Sequence, residues 1–219
     1  MIRFVITDIE GTTTPISFVH RVLFPYARPR LHDFVEKNSQ HSALTHVPEP
    51  KLDTLIQWMD LDKKITALKT IQGEIWKEGF TKGHLLGEVY SDVPPILNVW
   101  ASAGIHISVY SSGSVDAQKL LFGHTVEGDL TSKFKAFFDT NIGPKTEADS
   151  YRKIIHAIGG QSNETLFLSD TEVELDAAAA TGLSVCQLVR LTDKTLPSNR
   201  HPLARDFYDV SSLFGLSCE

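Results

Sequence analysis

Apolar residues along this chain fall into two alternating patterns. Short runs rich in β-branched and aromatic residues occur at Ile2–Thr7, Ile105–Tyr110, Thr165–Leu168 and Ser184–Val189, with a weaker one at Ala136–Phe138. In the first and last of these, side chains bound for both faces are apolar, as in strands of a parallel sheet covered on both sides. Between the runs the period lengthens to that of helices, at Val115–Phe122, Thr146–Ile158 and Thr171–Thr181. Gly123, Gly159-Gly160 and Gly182 end these segments. Glycine is favoured just past a last helical turn because it enters the left-handed region without strain. The alternation predicts right-handed βαβ units, and hence an α/β fold with a doubly wound parallel sheet of Rossmann type. Sheets of this kind hold their ligands at the carboxyl ends of the strands.

The stretch from Ser17 to about Tyr90 breaks the rhythm. It carries no convincing strand, and helical patterns at Leu52–Leu61 and Lys64–Phe80 follow a polar stretch, Lys37–Lys51, that contains Pro48 and Pro50. This predicts a helical cap inserted at 17–90, with the sheet domain built from 1–16 and 91–219. Pro94-Pro95 mark the return, opening a helix where a missing N–H leaves nothing unpaired. Trp58 and Trp76 read as helical core packing of the insertion, and Phe18 as lining on the cap side of a pocket.

Composition narrows the class. With 219 residues, 42% hydrophobic and 22% charged, the chain is ordinary for a soluble globular protein. A net charge of -6 without a basic patch speaks against a nucleic-acid partner. Cys186 and Cys218 fit no metal spacing and are expected to be reduced, in a cytoplasmic protein without a signal peptide. No apolar run is long enough to cross a membrane. The nine histidines form no HxxxH or HExxH pattern, so zinc is not expected.

The residues that change the picture sit where the apolar runs stop. FVITDIEGTTTPI carries the first strand straight into Asp8 and Glu10 before Gly11, the threonines and Pro15 turn the chain. Two like charges beside a buried strand are costly unless a cation or a reaction uses them. Ser111-Ser112-Gly113-Ser114 follow the second strand. Asp170 follows the Thr165–Leu168 strand, with Glu172, Glu174 and Asp176 behind it, and Lys145 precedes the Thr146 helix. A doubly wound sheet turns all of these towards one crevice. Acids from two strand ends suit a hard cation such as Mg²⁺, which takes few protein carboxylates and keeps water and substrate oxygens. Hydroxyls, a lysine and helix N-terminal amides suit a phosphate.

In this order, acid-x-acid, Ser, Lys and acid resemble the haloacid dehalogenase superfamily of phosphohydrolases. Finer details resemble its enolase-phosphatase (acireductone synthase) family of methionine salvage. These are DIEGTTTPI with Glu10 as the second acid, LFPY at Leu23–Tyr26, YSSGSVDAQKLLFGH at Tyr110–His124, YRKI at Tyr151–Ile154, and ITALKTIQGEIW at Ile65–Trp76. The resemblance implies a Mg²⁺-dependent conversion of 2,3-diketo-5-methylthiopentyl-1-phosphate to the acireductone 1,2-dihydroxy-3-keto-5-methylthiopentene and phosphate. It implies Asp8 as the nucleophile, Glu10 as general acid and then base, and Lys145 as the group that neutralises phosphate and nucleophile together. It also implies Ser111, Ser112 and Lys145 as substrate ligands, and Asp8, Glu10 (through its backbone carbonyl) and Asp170 as ligands of one Mg²⁺. Glu174 would orient Asp170 or a metal-bound water. Ser114 reads as a helix N-cap, and Glu172 and Asp176 as exposed helix charges. The implied partner is a small phosphorylated substrate, and the implied state a monomer. A general small-molecule phosphatase of the same superfamily is the alternative.

Overall fold

A computed structural model describes residues 1–63 and 65–216, so Lys64 and Cys218 lie outside the described residues. The described chain divides into two compact units: Met1–Ile16 together with the chain from Gly87 onward, and Ser17–Leu86.

The first unit is built on a six-stranded sheet in the order β3-β2-β1-β4-β5-β6, every pairing parallel. Its strands are β1 (Phe4–Thr7), β2 (His106–Tyr110), β3 (Phe134–Phe138), β4 (Thr165–Ser169), β5 (Ser184–Leu188) and β6 (Leu203–Ala204). β1 lies at the centre, with β2 on one side and β4 on the other, so the chain reverses its direction of travel across the sheet at β1. That is where a doubly wound sheet opens a crevice beyond its carboxyl edge. All four residues of β1 and all five of β4 are buried, which is why their runs are apolar on both faces.

Helices cover both faces. Val93–Ser102 begins with Pro94 and Pro95 in its first turn. Val115–Gly123 begins under Ser114, whose hydroxyl accepts from Ala117 N at 3.3 Å. Ala148–Ala157 and Glu172–Ala179 run into Gly159 and Gly182, both with positive φ. Gly123 departs from that expectation: it is the last residue of its helix, and the chain leaves through His124 at φ -132°. The sequence pattern does not announce the two-residue edge strand β6 or the Phe207–Phe214 helix. Asp206 caps that helix by accepting from Asp209 N at 2.8 Å, Gly215 closes it at φ +63°, and Phe207 stacks on Trp100 at 5.1 Å. The core under the site packs Ile6, Tyr110, Tyr151, Ile154, Phe167 and Leu175.

The Ser17–Leu86 unit is helical among its described residues. Its longest helices are Lys51–Asp60 and Thr66–Thr81, and Leu31, Leu44, Leu55, Leu68 and Ile71 form its core. Trp58 and Trp76 pack against that core, and Trp76 Nε1 donates to Leu23 O at 2.8 Å. Phe18 is fully buried.

Candidate active site

β1 carries its pairing one residue past its end, where Asp8 N donates to Leu168 O of β4 at 2.9 Å. The chain then coils tightly. Ile9 O accepts from the N–H groups of Thr12, Thr13 and Thr14 and from the Thr13 hydroxyl. Gly11 enters this turn at φ +70°, and a Cβ there would stand 2.5 Å from Asp170 Oδ2. Glycine is needed on both counts, and its smallness lets the turn backbone close on the Asp170 carboxylate. Glu10, one residue earlier, is exposed.

Lys145 reaches in from the turn before the Ala148–Ala157 helix. Its Nζ lies 2.7 Å from Asp8 Oδ1 and 2.6 Å from Glu174 Oε2, with the Lys145 and Asp8 side chains each less than a tenth exposed. Ser169 Oγ donates to Glu174 Oε2 at 2.9 Å, which fixes the second acid. Desolvation works against the ammonium, but the Asp8 and Glu174 charges outweigh it, and the net shift of Lys145 is upward. It stays a cation. Glu174 is pushed up to about 7, first by burial and then by the Asp8 charge, with Lys145 opposing both. Asp170 is pushed up to about 6 by the same two causes in the same order.

The remaining expected residues stand at the ends of β2 and β4. Ser111 is buried, its N–H donating to Phe138 O at 3.1 Å and its hydroxyl accepting from Gly113 N at 3.3 Å. Ser112 is exposed. Gln118 Nε2 ties this loop down by donating to Gly113 O and Phe138 O at 2.8 and 2.9 Å. Asp170 accepts from the Thr171 hydroxyl at 3.0 Å, and Gln187 Nε2 holds its carbonyl at 2.7 Å. The fold thus brings Asp8, Lys145, Asp170 and Glu174 into one buried cluster, with Ser111 at the neighbouring strand end. Glu172 and Asp176 are not the exposed charges expected of them. They are half-buried and paired, Glu172 with Arg200 and Ser198, and Asp176 with Arg200 and His201.

Three carboxylates share one lysine here, so the cluster is short of positive charge. Among the described residues no three His, Cys, Asp or Glu side chains are arranged to grip a metal. Mg²⁺ does not need such a cage, since one or two carboxylates with backbone and water oxygens hold it. Asp170, whose ionised form is disfavoured by burial and by the neighbouring Asp8 charge, fits a hard cation of this kind together with Asp8.

Arg190 escaped the sequence reading. It follows β5, and its Nε and Nη2 donate to Thr12 O at 3.1 and 2.7 Å while its Nη1 and Nη2 grip Asp92 at 2.9 and 3.0 Å. It therefore braces the Asp8 turn from behind. Its place two residues past an apolar strand, in QLVR, was the available signal.

Residues 2–182 match the model of the haloacid dehalogenase-like hydrolases. The chain belongs to that family. Relatives of this hydrolase include the enolase-phosphatase E1 of Granulibacter bethesdensis, 51% identical over 98% of this chain and 97% of the relative. That of Klebsiella pneumoniae is 47% identical over 96% and 97%. The UTR4 protein of Saccharomyces cerevisiae has a similar crystal structure, with TM-score 0.81, 33% identity, and coverage of 94% of this hydrolase and 99% of the yeast chain. CbbY of Rhodobacter sphaeroides, at TM-score 0.66 and 16% identity, shares the fold.

Proposed function

We propose that this hydrolase is a Mg²⁺-dependent enolase-phosphatase that converts 2,3-diketo-5-methylthiopentyl-1-phosphate to an acireductone and phosphate. The observation that carries the reading is the buried contact of Lys145 Nζ with Asp8 Oδ1, 2.7 Å apart at the carboxyl edge of β1. The enolase-phosphatase relatives, matched along almost their whole length, support the choice of substrate.

Enolisation comes first: a proton leaves the carbon that bears the phosphate, and the neighbouring carbonyl oxygen gains one. Asp8 then attacks phosphorus, the bond from phosphorus to the substrate oxygen breaks, and Glu10 protonates the departing oxygen. Water attacks the aspartyl-phosphate, Glu10 takes its proton, and phosphate leaves with Asp8 restored. Lys145 lowers the repulsion between an anionic nucleophile and an anionic phosphoryl group. Ser111 and Ser112 donate to phosphoryl and substrate oxygens. Asp8, the Glu10 carbonyl and Asp170 would hold the Mg²⁺. When bound, the ion offsets charge on phosphoryl and enediolate oxygens.

A substrate deuterated twice at the phosphate-bearing carbon tests the reading. One deuterium should be lost to water before or with phosphate release. Early product that keeps both deuteriums would make the protein a general small-molecule phosphatase.

A further inference from the structure

Lys145 is delivered by Gly143-Pro144-Lys145, a turn outside any helix or strand. Each of its three carbonyl oxygens accepts from a different side-chain hydroxyl. Tyr110 Oη donates to Gly143 O at 2.8 Å, Ser150 Oγ to Pro144 O at 2.7 Å, and Tyr151 Oη to Lys145 O at 2.7 Å. Both tyrosines are fully buried. Their rings meet edge to face at 5.5 Å, and Tyr151 packs on Phe167 of β4 at 5.0 Å. The hydroxyls are therefore anchored to the centre of the sheet. Burial pushes both phenols up, so each remains a protonated donor. Gly143 adopts φ +145°, and a Cβ there would stand 2.2 Å from Ser150 Oγ. A side chain at 143 would push this arrangement apart. Packing alone asks only for aromatic rings at 110 and 151, and phenylalanine would supply those.

We propose that Tyr110, Tyr151 and Ser150 are positioning residues, which hold the Lys145 ammonium against Asp8 by fixing the three carbonyls of its turn. A lysine head on a flexible four-carbon stem is placed only as well as its backbone is placed. Lys145 must meet two carboxylates at 2.7 and 2.6 Å, so a displaced turn loses one contact or both. The proposal rests on the reading of Lys145 as the group that neutralises nucleophile and phosphoryl. It adds that the precision of that group comes from hydroxyls that never touch substrate.

Tyr110→Phe and Tyr151→Phe each remove one oxygen and keep the ring. At saturating substrate and Mg²⁺, each should lower kcat about tenfold and the pair about a hundredfold, the scale expected for a reacting group displaced by about 1 Å. KM should change less than about threefold, because ground-state binding is not the function lost. The deciding comparison repeats both substitutions in a Lys145→Met chain, where residual phosphate release should fall by less than about twofold. A folded double variant with wild-type kcat overturns the proposal. So does an equal loss in the Lys145→Met chain, which would make the tyrosines general scaffold. If the double variant fails to fold, the singles and Ser150→Ala decide by the same comparison. Release is followed from both the diketo phosphate and p-nitrophenyl phosphate. A wild type active only on the second loses the proposed substrate, while the coupling to Lys145 still reads on that ester. A fully active Lys145→Met chain overturns the reading of Lys145 itself, and the positioning proposal with it.

Discussion

Asp8 pairs with the Lys145 ammonium at 2.7 Å, and Asp8 in turn adds to the cost of ionising Asp170 and Glu174. Neutralising Asp8 removes one attraction and two repulsions, which makes the stability change small while the chemistry disappears. Asp8→Asn should stay within about 1 kcal/mol of wild type in urea unfolding of the metal-free protein, because buried like charges and buried pairs oppose each other at this scale. Phosphate release should fall to background, since an amide is a very poor nucleophile. Near-normal turnover would return Asp8 to the role of a strand-end residue that bonds turn amides. A large loss of stability would show that Lys145 needs both carboxylates to be tolerated where it is.

One element scale up, the Asp8 turn is a short coil whose outer carbonyl is held by a side chain from the far end of β5. Arg190 and Asp92, with side chains 4% and 11% exposed, form a buried pair that also bonds Thr12 O. Arg190→Met should cost about 3–5 kcal/mol, mostly by stranding the Asp92 charge. Adding Asp92→Asn should recover part of that loss in the same urea series, because the stranded charge is gone. No recovery would mean that the Thr12 carbonyl, not the ion pair, carries the cost. The same contrast separates what the sequence made legible from what it hid. β1 and β4 are buried on both faces, so their apolar runs stood out, and the topology then fixed which polar residues shared an edge. β6 is two residues long and has no periodicity to read. The Phe207–Phe214 helix shows itself chiefly through its caps, Asp206 and Gly215. Arg190 acts through Asp92, almost a hundred residues away, and no local pattern joins them. Tyr110 and Tyr151 look like core aromatics because that is what their rings are, and only the folded chain shows where the hydroxyls go. Glu172 and Asp176 lay on a helix whose charges looked solvated until Arg200 and His201 were placed beside them.

For the molecule as a whole, the excess of negative charge at the site ties stability to pH. Asp170 and Glu174 hold protons more tightly folded than unfolded, at about 6 and about 7. As pH rises through this range the unfolded chain has already released those protons, so unfolding becomes easier. The cost is absent below the ordinary carboxylate range and complete above about 7. Metal-free protein should therefore be more stable at pH 5.5 than at pH 8, by on the order of 2 kcal/mol after allowance for partial exposure, and should melt at a higher temperature at the lower pH. Mg²⁺ should raise the midpoint more at pH 8 than at pH 5.5, because it binds the ionised acids. Equal increments at the two pH values would place the ion elsewhere. The central position of β1 has a further consequence, in time rather than in space. Phe4 pairs with His106 on one side and Thr165 on the other. During synthesis at about 5–20 residues per second, the strand that carries Asp8 waits several seconds for its first neighbour and longer for its second. Pairings this distant in sequence make folding slow, and they leave an apolar strand exposed to other chains in the meantime. Asp8 lies far up the chain from the partners it depends on, Lys145, Asp170 and Glu174, and its surroundings are complete only when these have emerged, so fragments that end before them should be aggregation-prone rather than weakly active.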